Sequence, residues 1–204
     1  MRFERNVFIN CPFDEEYRPL LHPLLFSVYA LGFQPRIALE SLDSGKPRIE
    51  KIVALIKASK YAIHDISRIK ATSAGEYFRL NMPFELGIDV GCRLFGPGRC
   101  ATRKCLILEA ERYRYQAAIS DISGSDIAVH ENTPENVVAH VRHWLHSHGR
   151  GAAPSPTQVW GAFNDFMSEN AAELTRLGYV QRDIAELPIA ELMRHMREWV
   201  GAQK

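Results

Sequence analysis

Two carboxylates in the first half of the chain have a setting that suits chemistry on a sugar. Glu85 lies in the segment Asn81-Met-Pro-Phe-Glu-Leu-Gly-Ile-Asp-Val-Gly91, and Asp65 ends an apolar run typical of a buried strand. A carboxylate can capture the anomeric carbon covalently, or stabilise the oxocarbenium ion that forms when an N-glycosidic bond breaks. The sequence therefore points toward N-glycosidic chemistry, with Glu85 and Asp65 as the candidate catalytic residues.

The segment around Glu85 carries the signals of a helix start. Asn81 is a suitable N-cap, and Pro83 falls in the first turn, where its missing N–H costs little. These signals put Glu85 in the first turn, near the positive end of the helix macrodipole, where it could also be no more than a partner of that dipole. Gly87 and Gly91 share one helix face, so we expect that face to pack closely on the sheet or on a ligand.

Strand and helix patterns alternate from the beginning of the chain. Predicted strands cover residues 6–10, 33–39, 61–66, 104–109 and 127–130, and predicted helices cover 17–31, 47–59, 111–119, 134–148 and a segment that begins at 81. Strands separated by helices imply right-handed crossovers and a parallel sheet covered on both faces. We predict an α/β fold over residues 1–149, with a five-stranded parallel sheet in flavodoxin-like order.

Residues 150–156 have the composition of a linker, and residues 157–204 supply apolar faces for two or three helices. We expect this C-terminal segment to be a small helical appendage, which could pack on the main domain or on a second copy of the chain. Four large apolar residues fall within two turns of it: Val159, Trp160, Phe163 and Phe166. Such a patch predicts that the segment contributes to a homo-oligomer.

The composition is that of an ordinary globular protein. The 204 residues are 46% hydrophobic and carry a formal net charge of +1, which offers no basic footprint for a nucleic acid. The chain shows no signal-peptide pattern and no long apolar span, and its four cysteines lack CxxC spacing. We therefore expect a cytoplasmic protein with reduced cysteines that binds neither membrane nor nucleic acid.

Ligands of open parallel sheets gather at the carboxyl ends of the strands, where the strand order reverses. The loop after the third predicted strand, residues 67–80, is long for a compact domain, and our hypothesis for it is a lid. Its Arg68 and Tyr77 could hold a phosphate or stack on a base. His64 alternates with Asp65, so we expect it to face the other side of the sheet as a core histidine. Asp65 itself could simply cap the turn that follows the strand.

Two phosphate-binding patterns are missing after the first strand, GxGxxG and GxxxxGK[ST], which argues against a Rossmann hydride-transfer enzyme and against a nucleoside triphosphatase. A row of histidines, His140, His143 and His146, recurs at helical spacing. No carboxylate or cysteine joins the row at ligand spacing, so we interpret it as a solvated face and expect no metal.

Three segments carry a resemblance to known proteins: VFINCPFDEEY, AIHDIS and NMPFELGIDVG. Together they are similar to the nucleoside 2-deoxyribosyltransferase-like family and, more loosely, to bacterial TIR domains, over roughly the first 110 residues. The resemblance implies that Glu85 is the nucleophile or oxocarbenium stabiliser and that Asp65 contacts ribose or base. It further implies a sugar pocket that contains Pro12, Phe13 and Asp14.

By this reasoning the candidate substrate-binding residues are Asn10, Pro12, Phe13, Asp14, Arg68, Tyr77 and Asn81. We expect Phe13, Asp14, Asp65, Arg68 and Glu85 to line one cleft. The ligand implied is a nucleoside or a dinucleotide, with NAD as a possible substrate and no bound cofactor, and related bacterial effectors often consume NAD during phage defence. Two alternatives stay open: a nucleotide-binding sensor without catalysis, and a TIR-like assembly module. The base, the choice between hydrolysis and transfer, and any genomic partner protein stay open too.

Overall fold

The computed structural model describes residues 3–40, 45–71, 80–149 and 152–203. Its sheet has five strands, all parallel, in the order β2-β1-β3-β4-β5, which confirms the predicted α/β fold with flavodoxin-like strand order. The strands are β1 (Asn6–Asn10), β2 (Gln34–Arg36), β3 (Tyr61–Asp65), β4 (Lys104–Glu109) and β5 (Ile127–Val129). The strand order reverses between β1 and β3, which places the expected ligand site of such sheets at the carboxyl ends of these two strands.

Helices cover both faces of the sheet. In the described part of the chain they are α1 (Arg18–Ala30), α2 (Arg48–Lys57), α3 (Asn81–Phe95), α4 (Pro134–His146), α5 (Pro156–Arg176), α6 (Gln181–Ala185) and α7 (Ile189–Ala202). The helix predicted at 111–119 is instead one 3-10 turn, Arg114–Ala117. Tyr113, which precedes this turn, has a left-handed φ of 65°, so a regular helix cannot run through it.

Side chains of β1 and β3 alternate between two hydrophobic layers. Val7, Ile9 and Ile63 belong to the larger core, which also contains apolar residues of α1, α4, α5 and α7. Phe8 and Ala62 point the other way, into a smaller cluster with apolar residues of α2. The alternation follows from the period of two in a strand, and it determines which polar side chains at the strand ends meet which helices.

The C-terminal helices pack on the main domain of the same chain. The Phe26 ring of α1 lies 5.7 Å from Phe163, 5.6 Å from Phe166 and 5.7 Å from Trp199, measured between ring centroids. Of the two arrangements open from the sequence, the structure therefore shows the intramolecular one, which also buries Val159. None of the helices in the described ranges has the length and apolarity needed to cross a membrane.

Candidate active site

Glu85 lies in α3 at the reversal point of the sheet. Its exposed fraction is 5%, and no described residue hydrogen bonds to its carboxylate. Burial raises the pKa of Glu85 above its ordinary value, and the nearby positive charge of Arg48 only partly opposes that effect. Its oxygens are not among the fully buried side-chain atoms without a partner, so the carboxylate is unpaired among the described residues and still reaches solvent.

The start of α3 differs from the sequence prediction. The carbonyl of Leu80 accepts a hydrogen bond from the N–H of Phe84 at 3.0 Å, so Leu80 is the N-cap residue and Asn81 is the first helical residue. Asn81 is exposed and makes no capping hydrogen bond, so its prediction as the N-cap was wrong. Glu85 consequently lies in the second turn, beyond the first-turn N–H groups, and the expected position in the first turn was wrong as well.

The two glycines of α3 do not approach the sheet. A Cβ added to Gly87 or to Gly91 would meet no heavy atom within 4 Å. Close packing of this face on the described part of the chain was therefore a wrong expectation, because the helix buries the side that carries Met82, Glu85, Leu86 and Asp89.

A buried polar chain fixes α3 against the sheet. The amide Nδ2 of Asn10 donates to the carbonyl of Met82 at 2.9 Å and lies 3.0 Å from Nδ1 of His64. Because the amide presents an N–H to His64, Nδ1 is the acceptor and Nε2 carries the proton, which faces Asp89 at 2.9 Å. Asn10 thus joins the end of β1 to the first turn of α3, directly before Glu85. His64 is a satisfied core histidine on the α2 and α3 side, as predicted.

The same chain ends in a buried ion pair. Asp89 also accepts a hydrogen bond from Nε of Arg103 at 2.6 Å, and Arg103 donates to the backbone carbonyls of Ile56 and Ser59. Burial would raise the pKa of Asp89, but the contacts with His64 and Arg103 outweigh burial and hold the pKa below its ordinary value. Asp89 is therefore ionised and structural, one helical turn after Glu85.

Asp65 lies at the carboxyl end of β3 on the opposite side of the sheet from His64. It has no exposed surface, and both of its oxygens are occupied. Oδ1 accepts hydrogen bonds from the backbone N–H of Ser67 at 2.9 Å and from its hydroxyl at 2.5 Å, and Oδ2 accepts from the hydroxyl of Tyr17 at 2.5 Å. Nε2 of His130 lies 3.0 Å from the same Oδ2.

These partners determine the charge of Asp65. Nδ1 of His130 accepts the backbone N–H of Asn132 at 3.0 Å, which leaves Nε2 as the ring nitrogen that carries a proton toward Asp65. Burial would raise the pKa of Asp65, but His130, Ser67 and Tyr17 together lower it. Since its lone pairs already have partners, Asp65 caps the turn after β3 and does not line an open cleft with Glu85.

The loop after β1 lies near both Asp65 and Glu85. Cys11 in this loop is buried. Burial raises the pKa of its thiol most, and the nearby negative charges of Asp65, Glu85 and Asp14 raise it further. The three acids therefore surround the end of β1, with Asp65 from the α1 side and Glu85 from α3 on the other side. Pro12 is buried and Phe13 is half-buried against the larger core.

Arg68 is held at the rim of this region by acidic partners. Its Nη2 lies 3.4 Å from Oδ1 of Asp14 and 2.9 Å from Oε2 of Glu16. Asp14 also caps the 3-10 turn that follows by accepting the backbone N–H of Tyr17. The predicted contact residue Tyr77 lies outside the described residues, as does most of the predicted lid.

Sequence reasoning missed three residues that support the site: Tyr17, His130 and Arg103. His130 is the last residue of a predicted strand, so its place at the carboxyl edge was a usable signal, whereas nothing local pairs Tyr17 with Asp65 or Arg103 with Asp89. Within the described ranges, no three His, Cys, Asp or Glu side chains converge as metal ligands. The four cysteines all lie in these ranges and form no disulfide.

Tyr17→Phe tests whether the contact with Asp65 stabilises the fold. The substitution keeps the ring in the core but removes the hydroxyl that donates to the buried carboxylate, and hydrogen bonds to charged groups are worth about 1.5–3 kcal/mol. We expect urea denaturation at pH 7 to show a loss of stability of about that size. Tyr29→Phe, whose hydroxyl accepts from the neutral Gln34 amide at 3.1 Å, is the control and should cost less. Equal losses in the two variants would contradict a charged Asp65.

Comparison of the chain with protein-family models, with curated proteins and with solved structures found no match in any of the three. What the protein does therefore has to be argued from the chemistry of the residues at the reversal point of the sheet.

Proposed function

We propose that the protein breaks an N-glycosidic bond, or transfers the ribosyl group, of NAD, a nucleoside or a nucleotide, with Glu85 as the carboxylate that meets C1′. One observation carries this proposal. Glu85 is a largely buried carboxylate to which no described residue donates a hydrogen bond, and it lies where ligands of this sheet topology bind. The resemblance of its helix segment to the deoxyribosyltransferase-like family supports the same chemistry.

The other buried acids of the described chain differ from Glu85 because they have hydrogen-bond donors. The described part of the chain has three besides Glu85, and each has strong donors: Asp65 has Tyr17 and Ser67, Asp89 has Arg103, and Glu109 has Arg114 and the backbone N–H of Ala110. Those three are explained by the fold. Burying an unpaired carboxylate costs stability, so its presence at a ligand site favours a functional role.

The chemistry needs an ionised Glu85. When the base leaves, the electron pair of the C1′–N bond goes to the base nitrogen, and positive charge develops at C1′ and the ring oxygen. The carboxylate then either forms a covalent bond to C1′ or stabilises the cation by its charge, an effect that is stronger in a desolvated site. Attack by water completes hydrolysis, and attack by a second base completes transfer. Nicotinamide in NAD leaves as a neutral base, so it needs less help from an acid.

Asp65 has a positioning role in this proposal. Its oxygens accept hydrogen bonds from Tyr17 and Ser67 and lie beside Nε2 of His130, so it holds the turn after β3 and the loop after β1 in place. Asn10 has the corresponding role for α3, because it ties the end of β1 to Met82 three residues before Glu85. The site is therefore supported from both faces of the sheet, which suits a carboxylate that must be placed accurately.

The proposal is tested by incubating the full chain separately with NAD and with a panel of purine and pyrimidine nucleosides and their 5′-monophosphates. Freed base is measured by chromatography, and adding a second free base separates transfer from hydrolysis. Release of base from one of these substrates is the expected result. Calorimetric binding of a nucleotide without release of base over hours would instead favour the nucleotide-binding sensor. If the chain neither releases a base from these compounds nor binds any of them, both proposals are contradicted.

A further inference from the structure

The outward face of α3 is apolar along its whole length. Its large side chains are among the most exposed apolar residues of the described chain: Leu80 at 61%, Phe84 at 63%, Leu94 at 63% and Phe95 at 86%. With Gly87 and Gly91 they recur at helical spacing on one side, and we call these six residues the α3 stripe. Contiguous exposed apolar surface of this kind marks an interaction site.

The buried side of α3 contains two acids beside its apolar residues Met82 and Leu86. A surface helix turns its apolar side to the core and its charges to water. In α3 the two acids, Glu85 and Asp89, are buried, and Arg93, the only other charged residue of the helix, lies outside the stripe. The outward face thus has the composition of a buried face, although nothing in the described chain covers it.

The two glycines leave a gap between the large side chains of the α3 stripe. A Cβ at Gly87 or Gly91 would have no heavy atom within 4 Å, so the chain itself does not require glycine there. Each glycine in a helix interior costs about 1 kcal/mol relative to alanine. A second helix that crosses at this point could approach the backbone closely, which would explain two glycines four residues apart. The large residues on either side would then flank the crossing.

We propose that the α3 stripe is the interface of a homodimer in which the α3 helices of two copies cross at Gly87 and Gly91. The stripe has no charge, so its partner surface must be apolar and uncharged, and the stripe itself has that character. It also has a notch between protruding side chains, which allows a self-complementary two-fold contact. This dimer does not depend on the proposed chemistry of Glu85, which lies on the inward face.

The amount of surface fits a small dimer interface. Two exposed phenylalanines and two exposed leucines provide on the order of 500 Å² of apolar surface per copy, or about 1,000 Å² for the pair. That is near the lower limit for a specific interface, so flanking residues must add to it. The C-terminal helices, which the sequence suggested as the interface, bury Val159, Phe163 and Phe166 inside the chain, and the large apolar residues that they leave exposed are Leu177, Tyr179 and Val180 near the end of α5.

The test is the molar mass of the full chain by light scattering and sedimentation velocity over a range of concentrations. Wild-type protein should be a dimer, and Phe84→Glu and Leu94→Glu should each raise the dimer dissociation constant by on the order of 100-fold or more, because each places a charge in an apolar contact. Leu177→Glu is the matched control, since Leu177 is 60% exposed at the end of α5, and it should remain dimeric.

Gly87→Leu keeps the proposal testable if a charged variant folds poorly. Leucine favours the helix over glycine, so the monomer should be at least as stable to heat, whereas the filled notch should weaken the dimer. A monomeric wild-type protein at 100 µM, stripe variants that stay dimeric, or dissociation of Leu177→Glu to the same extent would each overturn the proposal. So would a wild-type monomer that co-sediments with phospholipid vesicles.

Discussion

Glu85→Gln is expected to lower the release of base by several orders of magnitude while the fold stays intact. Glutamine is nearly isosteric with glutamate, but it cannot form the covalent bond to C1′ and carries no negative charge to stabilise the oxocarbenium ion. If Glu85 acts only by its charge, the loss should still be about 100-fold to 1,000-fold. The measurement is the initial rate of base release with the substrate found for the wild-type protein.

The same substitution should raise the free energy of unfolding near neutral pH. Burial raises the pKa of Glu85 in the folded state above its value in the unfolded chain, so the folded protein binds the proton more tightly. Stability associated with this group is therefore present below the unfolded pKa and is lost as pH rises through the folded pKa. Glutamine removes that loss, and the variant should show a higher melting temperature at pH 7 but not at pH 4.

Near-normal turnover by Glu85→Gln would contradict the assignment of Glu85 as the reacting carboxylate. Glu50→Gln, on a neighbouring helix and exposed, serves as the control for loss of one negative charge, and it should change neither rate nor melting temperature. If the variant is inactive but more stable than the wild-type protein, Glu85 lowers the stability of the wild-type fold and is retained for its function. Such a trade-off is common at functional sites.

Asp89→Asn is expected to have the opposite effect on stability, although it is the same kind of change one helical turn away. Asp89 neutralises Arg103, whose guanidinium is almost completely buried. Removing one partner of a buried ion pair leaves an uncompensated charge, at a cost of about 3–5 kcal/mol, of which asparagine could recover a part by hydrogen bonding. We therefore expect a large fall in the free energy of unfolding, measured with urea at pH 7.

The pH dependence of this variant provides a second readout. The folded pKa of Asp89 is depressed by His64 and Arg103, so its contribution is present above the unfolded pKa and is lost as pH falls through the folded pKa. The difference between wild-type protein and Asp89→Asn should therefore shrink on acidification below about pH 4. A variant as stable as the wild-type protein at pH 7 would contradict the structural role of this pair. Glu173→Gln, which removes an exposed ion pair with Arg176, should have no measurable effect.

The amino-acid sequence was sufficient to predict the fold class and to identify the most promising residue. Strand and helix periodicities are local, so the alternation of the five strands with helices could be read directly, and it predicted the parallel sheet and its order. Glu85 was identifiable because its helix follows the third strand, at the edge where ligands of such sheets gather. His64 and Asp65 were assigned to opposite sides of the sheet from the period of two alone.

The role of each buried acid depends on long-range partners, which only the folded chain shows. Tyr17 and His130 reach Asp65 from distant parts of the chain because the sheet brings the ends of β1, β3 and β5 to one edge. Arg103 reaches Asp89 in the same way, from the residue before β4. A local pattern contains no information about such long-range partners. The four buried acids of the described chain look alike in the sequence, and only their partners distinguish Glu85, to which no described residue donates, from the other three.

The orientation of α3 was decided in the same way. Its pattern shows that Gly87 and Gly91 share a face, and it predicted that this face packs closely on the sheet or on a ligand. The buried chain that begins at Asn10 and ends at Arg103 compensates the acids and pulls their side inward, which turns the glycines outward. The buried side of α3 therefore combines the apolar residues Met82 and Leu86 with acids whose partners lie far away in the sequence, and α3 alone does not reveal those partners.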